Sequence, residues 1–319
     1  MPGPIQKGKN MPKFIEEYLS VNGIEECTLQ FPVNEKPLLI YVHGGPGQSM
    51  MPFAGWLNNK IDFATVVYYD QRGTGRTQLR SKSTAETITF EQLLDDLKET
   101  IRILKEKYHK SKVILLGHSW GSILATQYAL RYPEEVACYI GVGQVIDHRR
   151  SEKVGYDHLI ESYASQFDEK DREMLKKLGD YPSDCTYDNA YEMITTMRDL
   201  QIKYKLAASA ADYLKIAFHS STFRLKDLKA MRQIMQNIHL LEYMLDYSVE
   251  EEKDYEVPIF YLLGKDDWQV ARVVAEEYFD TINAPKKEIF LIDHAGHIPN
   301  VDQPDQFNKV LEKIVSEYQ

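Results

Sequence analysis

The chain has 319 residues, with 38 basic against 48 acidic side chains and a formal net charge of −10. Its composition, 43% hydrophobic and 27% charged, excludes a disordered chain and leaves room for one large core or a core with an insertion. A mean hydropathy of −0.43, with no apolar run of the roughly 18 residues a span needs, argues against a transmembrane helix, and the acidic balance argues against nucleic acid as a partner.

The first ten residues carry positive charge but run into Glu16 and Glu17 instead of an apolar stretch, which predicts no secretory signal, no membrane association and a cytoplasmic location. Cys27, Cys138 and Cys185 are far apart and odd in number; they read as reduced structural thiols, not a disulfide framework or a zinc site.

In chain order, residues 13–21 and Ile24–Phe31 read as two strands joined by Asn22-Gly23, a pair suited to the positive φ angles of a two-residue hairpin. Leu38–Val42, Thr65–Tyr69 and residues 113–116 are short, nearly continuous apolar runs, the pattern of parallel strands buried on both faces. Between the last two, Phe90–Tyr108 repeats Leu93, Leu94, Leu97, Ile101 and Leu104 at helical spacing and predicts a crossover helix. Another strand is expected at Val136–Val142.

From about residue 148 to 255 the pattern changes to helical periodicity rich in Tyr and Met. It then returns to strand (257–263), helix (270–281), strand (288–292) and a terminal helix (303–317). The expected fold is therefore a doubly wound, mostly parallel α/β sheet interrupted by a helical cap. Residues 1–147 and 256–319 would form the two parts of the core, and 148–255 the cap.

The strongest local signal is Gly117-His118-Ser119-Trp120-Gly121, placed between a strand and an apolar helix. In that context it is a nucleophile elbow, where flanking side chains would collide with the neighbouring strand and helix. A serine hydroxyl needs a base, and the base an orienting carboxylate, in the chain order Ser, acid, His.

His297 follows Gly296 in a loop beyond the last strand and is favoured over His294, which ends that strand. Asp267 lies three residues past Gly264 and is favoured over Asp266, with Asp147 a remoter alternative. Backbone N–H groups of Trp120 and of Gly45, within His43-Gly44-Gly45-Pro46-Gly47, are candidate oxyanion donors. The G-x-G-x-x-G and Walker spacings of nucleotide sites are absent, and no metal or organic cofactor is called for.

Three blocks resemble the proline iminopeptidase branch of the α/β-hydrolase superfamily: His43-Gly44-Gly45-Pro46-Gly47, then Asp70-Gln71-Arg72-Gly73-Thr74-Gly75-Arg76-Thr77, then Gly117-His118-Ser119-Trp120-Gly121-Ser122. The resemblance implies an α/β-hydrolase fold and a triad of Ser119, Asp267 and His297, with the oxyanion hole at Gly45 and Trp120. It also implies a serine aminopeptidase that releases an N-terminal proline or small residue from a small-molecule or short-peptide substrate.

The chain departs from that branch at His118, where glycine is usual, at Thr74 and Thr77, and in the cap. There the family places glutamates for the substrate's free amine in a tryptophan-rich segment, and this cap has no tryptophan. Glu161, Glu192 and Glu242 are cap carboxylates without an assigned role. A buried ammonium needs such a partner. Without one, the same triad would suit a neutral ester, lactone or amide. A non-catalytic binding protein on the same fold is a third reading, and aspartate-dependent epoxide hydrolysis is disfavoured by serine at position 119.

Overall fold

The computed structural model describes residues 13–81, 87–230 and 238–318, so the amino-terminal decapeptide read above lies outside them. The chain runs β1 (Ile15–Val21), β2 (Ile24–Phe31), β3 (Leu38–Val42), α1 (Ala54–Leu57), β4 (Thr65–Tyr69), α2 (Gly75–Ser81), α3 (Phe90–Tyr108), β5 (Val113–His118), α4 (Trp120–Arg131) and β6 (Val136–Val142). Helices α5 (His148–Tyr163), α6 (Glu169–Leu178), α7 (Ala190–Lys203), α8 (Ala210–Ala217), α9 (Asp227–Ala230) and α10 (Ile238–Leu245) follow before the sheet resumes. It continues with β7 (Ile259–Gly264), α11 (Arg272–Thr281), β8 (Lys287–Ile292), α12 (Pro299–Asp302) and α13 (Pro304–Val315).

The eight strands form one sheet in the order β1-β2-β4-β3-β5-β6-β7-β8. The β1–β2 and β2–β4 pairs are antiparallel and the others parallel. Asn22 and Gly23 close the β1–β2 hairpin with φ of 41° and 82°, the left-handed pair such a turn requires.

All five residues of β3 are buried because alternate side chains enter different cores. Leu38, Ile40 and Val42 pack with α3 and α4, whereas Leu39 and Tyr41 pack with α1 and α13. Each fully buried aliphatic side chain of this kind stabilises the fold by about 1.5–3 kcal/mol. Thr89 and Gln92 form a capping box that starts α3, and left-handed His109 (φ 52°) ends it.

The two boundaries around the elbow differ from the sequence reading together, whereas the others shift by at most two residues. Strand β5 continues through Gly117 to His118, and α4 begins at Trp120, so a single residue, Ser119, makes the whole turn. Short helices α1 and α2 carry too few residues to show a period. Among the described residues no helix is long and apolar enough to cross a membrane.

Candidate active site

Ser119 joins β5 to α4 with φ 54° and ψ −123°, a conformation a side chain adopts only when its surroundings hold it. Its N–H donates to Val142 O at 2.9 Å, and its carbonyl accepts from Ser122 N at 2.7 Å and Ser122 Oγ at 2.6 Å. The flanking glycines are steric necessities. A Cβ on Gly117 would lie 2.6 Å from Gly121 O, and one on Gly121 only 2.1 Å from Val42 O.

Asp267 and His297 come from the loops after β7 and β8 and are 1% and 3% exposed. His297 Nδ1 donates to Asp267 Oδ2 at 3.0 Å. The other carboxylate oxygen accepts from Gln269 N at 3.1 Å and Val270 N at 3.0 Å. Because a carboxylate only accepts, the imidazole proton sits on Nδ1, and Nε2 is left as the basic nitrogen.

Two more imidazoles hold this framework. His118 Nε2 donates to the His297 carbonyl at 2.9 Å, and burial, aided by neighbouring His297, brings its pKa down to about 3. His43 Nδ1 donates to Gly44 O at 2.9 Å and its Nε2 accepts from Gln71 N at 3.1 Å; burial brings this ring down to about 4. The Gln71 side chain donates to His43 O at 3.0 Å and accepts from Trp120 Nε1 at 3.3 Å. The Asp70-Gln71 block thus fixes the glycine-rich turn against the elbow. In that turn Gly45 has φ 122°, and a Cβ on Gly44 would lie 3.1 Å from Ser119 Cβ.

Ser119, Trp120 and Gly45 line one cavity of about 450 Å³, whose remaining walls come partly from α5, α7, α8 and α10. The insertion brings Glu152 of α5 and Arg198 of α7 to this cavity. Glu152 is buried; its Oε1 accepts from Arg198 Nη2 and its Oε2 from Tyr181 Oη at 2.5 Å. Burial pushes its carboxyl up, but the Arg198 guanidinium, His148 and the Tyr181 hydroxyl outweigh that and hold it below the usual carboxylate range. His148 is also on the wall; burial lowers its pKa, and its buried Nε2 has no hydrogen-bond partner among the described residues.

The sequence-derived candidates separate cleanly. Asp147 caps α5 by accepting from Arg150 N at 2.7 Å. Asp266 is exposed, and His294 turns the chain at φ 55° with its carbonyl bonded to Gln303. None of Glu161, Glu192 and Glu242 lines the cavity. Glu152 does, and it was missed because Ser-Glu on a polar helix carries no distinguishing pattern. The three cysteines are free and buried.

The profile of the α/β hydrolase fold family matches residues 37–304. The chain belongs to that family. A probable aminopeptidase, YbaC of Bacillus subtilis, is 24% identical over 93% of this chain and 92% of its own length. The proline iminopeptidase PfmaB of Pestalotiopsis fici is 25% identical over 94% and 98%. Epoxide hydrolase 1 of Caenorhabditis elegans is 22% identical over 98% and 74%. Among solved structures, VinJ superposes with a TM-score of 0.70 at 18% identity over 96% of this chain and 99% of that one. The proline iminopeptidase of Mycobacterium smegmatis gives 0.69 at 16% over 95% and 98%. At that identity the structures show the shared fold alone.

Proposed function

We propose that this α/β hydrolase is a serine aminopeptidase of the proline iminopeptidase kind, releasing an N-terminal proline or small residue through an acyl-enzyme. The observation that carries the reading is the 3.0 Å Asp267–His297 bond in the same fold region as a strained serine elbow that lines a cavity of about 450 Å³. In this mechanism Ser119 Oγ attacks the scissile carbonyl while His297 Nε2 takes its proton, and Asp267 holds the imidazole and stabilises its charged form.

The N–H groups of Gly45 and Trp120 receive the oxyanion. His297 then protonates the leaving amine, and water, deprotonated by the same imidazole, releases the acyl group. Residues 148–255 act as the cap, and its buried carboxylate, Glu152, receives the substrate's ammonium. Two relatives aligned over more than nine-tenths of the chain are named probable aminopeptidase and proline iminopeptidase, which supports this choice. Serine at position 119 opposes the epoxide hydrolase reading.

The alternative, an esterase, lactonase or amidase for neutral substrates, is favoured by one observation: Glu152 is already paired with Arg198. Wild type and Ser119→Ala are to be assayed with L-proline 2-naphthylamide, its N-acetylated form and a p-nitrophenyl acyl ester. Cleavage of the free prolyl amide but not the blocked one, abolished by the mutation, is the expected outcome. Turnover of the ester alone would overturn the aminopeptidase reading, and full activity in Ser119→Ala would overturn the nucleophile.

A further inference from the structure

The cavity holds a second charge that amine recognition does not use. Among its described lining residues only Glu152 and Arg198 carry a formal charge at neutral pH. Their exposures differ: the Glu152 side chain is 3% accessible and that of Arg198 20%. The Arg198 side chain is therefore the more open of the two charged groups on this wall. It donates Nη2 to Glu152 and Nη1 to Gln201 Oε1. A guanidinium carries five N–H donors in a rigid fork, so donors remain for a planar two-oxygen acceptor.

We propose that Arg198 is the subsite for a substrate carboxylate. Resting on the reading that Glu152 receives the free amine, the preferred substrates are then short peptides with both ends free, dipeptides foremost. The contact between Glu152 and Arg198 supplies the length limit. Amine and carboxylate must reach neighbouring points of one wall while the carbonyl between them reaches Ser119. An extended residue spans about 3.3–3.6 Å, so the ends of a dipeptide lie within roughly 7 Å of each other; a longer peptide carries its carboxylate out of reach.

Charge balance points the same way. The Glu152–Arg198 pair is neutral in sum, so a zwitterion enters without adding net charge. A prolyl amide adds an uncompensated cation beside a half-buried guanidinium, which is unfavourable. A side-chain carboxylate on an N-terminal Asp or Glu offers the same chemistry from another source.

The test compares kcat/KM of the wild-type enzyme on L-prolylglycine, L-prolylglycinamide, L-alanylglycinamide and L-glutamylglycinamide. The free dipeptide is expected to exceed its amide by on the order of ten- to a hundredfold, mostly through KM. In Arg198→Gln that preference should collapse, with partial recovery in Arg198→Lys. An Arg198-dependent preference of the same size for the glutamyl over the alanyl amide would place the carboxylate on the side chain and uphold the subsite.

Equal rates for all four in the wild type would overturn the subsite while leaving the aminopeptidase reading standing. No turnover of any of them would overturn both. The wild-type comparison decides the matter even where Arg198→Gln fails to fold.

Discussion

Ser119 can hold its left-handed backbone only because several neighbours give up their side chains, and Gly143 shows how narrow that arrangement is. At the end of β6, with φ 53°, a Cβ on Gly143 would lie 2.8 Å from His297 Cε1 and 3.5 Å from Asp267 Oδ2. Gly143→Ala should therefore displace the imidazole from Asp267, at an added local cost from the positive φ. Misplacing a general base by about 1 Å can reduce turnover roughly a hundredfold. That loss in kcat, with the far-UV spectrum unchanged, is the expected outcome; wild-type kcat would sink the account.

Nothing in the sequence distinguishes Gly143 from an ordinary strand-end glycine, because its neighbour His297 lies far along the chain. Glu152 was illegible for the same reason: its meaning comes from Arg198 and Tyr181 on other segments. Ser119, Asp267 and His297 could be singled out because each follows a strand whose end the apolar pattern marks, and β5, β7 and β8 run parallel, so all three follow carboxyl ends of the same sheet.

At the scale of elements, strands and long helices were legible wherever one physical pattern dominated. Strands β3 and β4 showed as continuous apolar runs because both faces of the sheet are covered, and α3 showed as a stripe. The joint between core and inserted helices was not, since it rests on α2 and α9, both short, and on polar side chains.

Arg76 of α2 is 1% exposed and donates from Nε at 3.0 Å and Nη2 at 2.9 Å to the two oxygens of Asp227 in α9. Nη2 also donates to Thr222 O at 2.6 Å. Thr222 Oγ1 in turn accepts from Gly55 N at 3.0 Å and donates to Met51 O at 2.7 Å. Arg76→Ala would strand the Asp227 carboxylate, a loss of about 3–5 kcal/mol. Arg76→Met with Asp227→Leu should cost far less, because no charge is then left unpaired. Denaturant midpoints read the difference, and limited proteolysis around residues 218–230 should quicken in the single variant. Equal stability of single variant and wild type would show that the joint does not hold the insertion.

Over the whole molecule, two sets of buried groups make stability depend on pH in opposite directions. His43 and His118, brought down to about 4 and about 3 by burial, stay neutral in the fold. They contribute stability that is present above about pH 6.5 and lost as pH falls through those values. Asp70 does the reverse. Burial raises its carboxyl to about 7, against the nearby Ser49 hydroxyl, the hydrogen bond from Arg76 N–H and the attraction of the Arg76 guanidinium, while Asp227 adds to the rise.

Its Oδ2 accepts from Arg76 N at 2.6 Å, and its Oδ1 has no hydrogen-bond partner among the described residues. The proton on Asp70 therefore stabilises the fold fully below about pH 4, and that contribution is lost as pH climbs through about 7. Asn mimics the protonated acid, with its oxygen facing Arg76 N–H. The stability of wild type minus that of Asp70→Asn should accordingly fall by a few kcal/mol between about pH 4 and 7, then level off once the folded carboxyl has ionised. Taking the difference removes the histidine contributions, which are common to both proteins. Curves that run parallel over this range would mean that Asp70 ionises as freely in the fold as in the unfolded chain, and would overturn the assignment of a buried, protonated acid behind the Gln71–His43 framework.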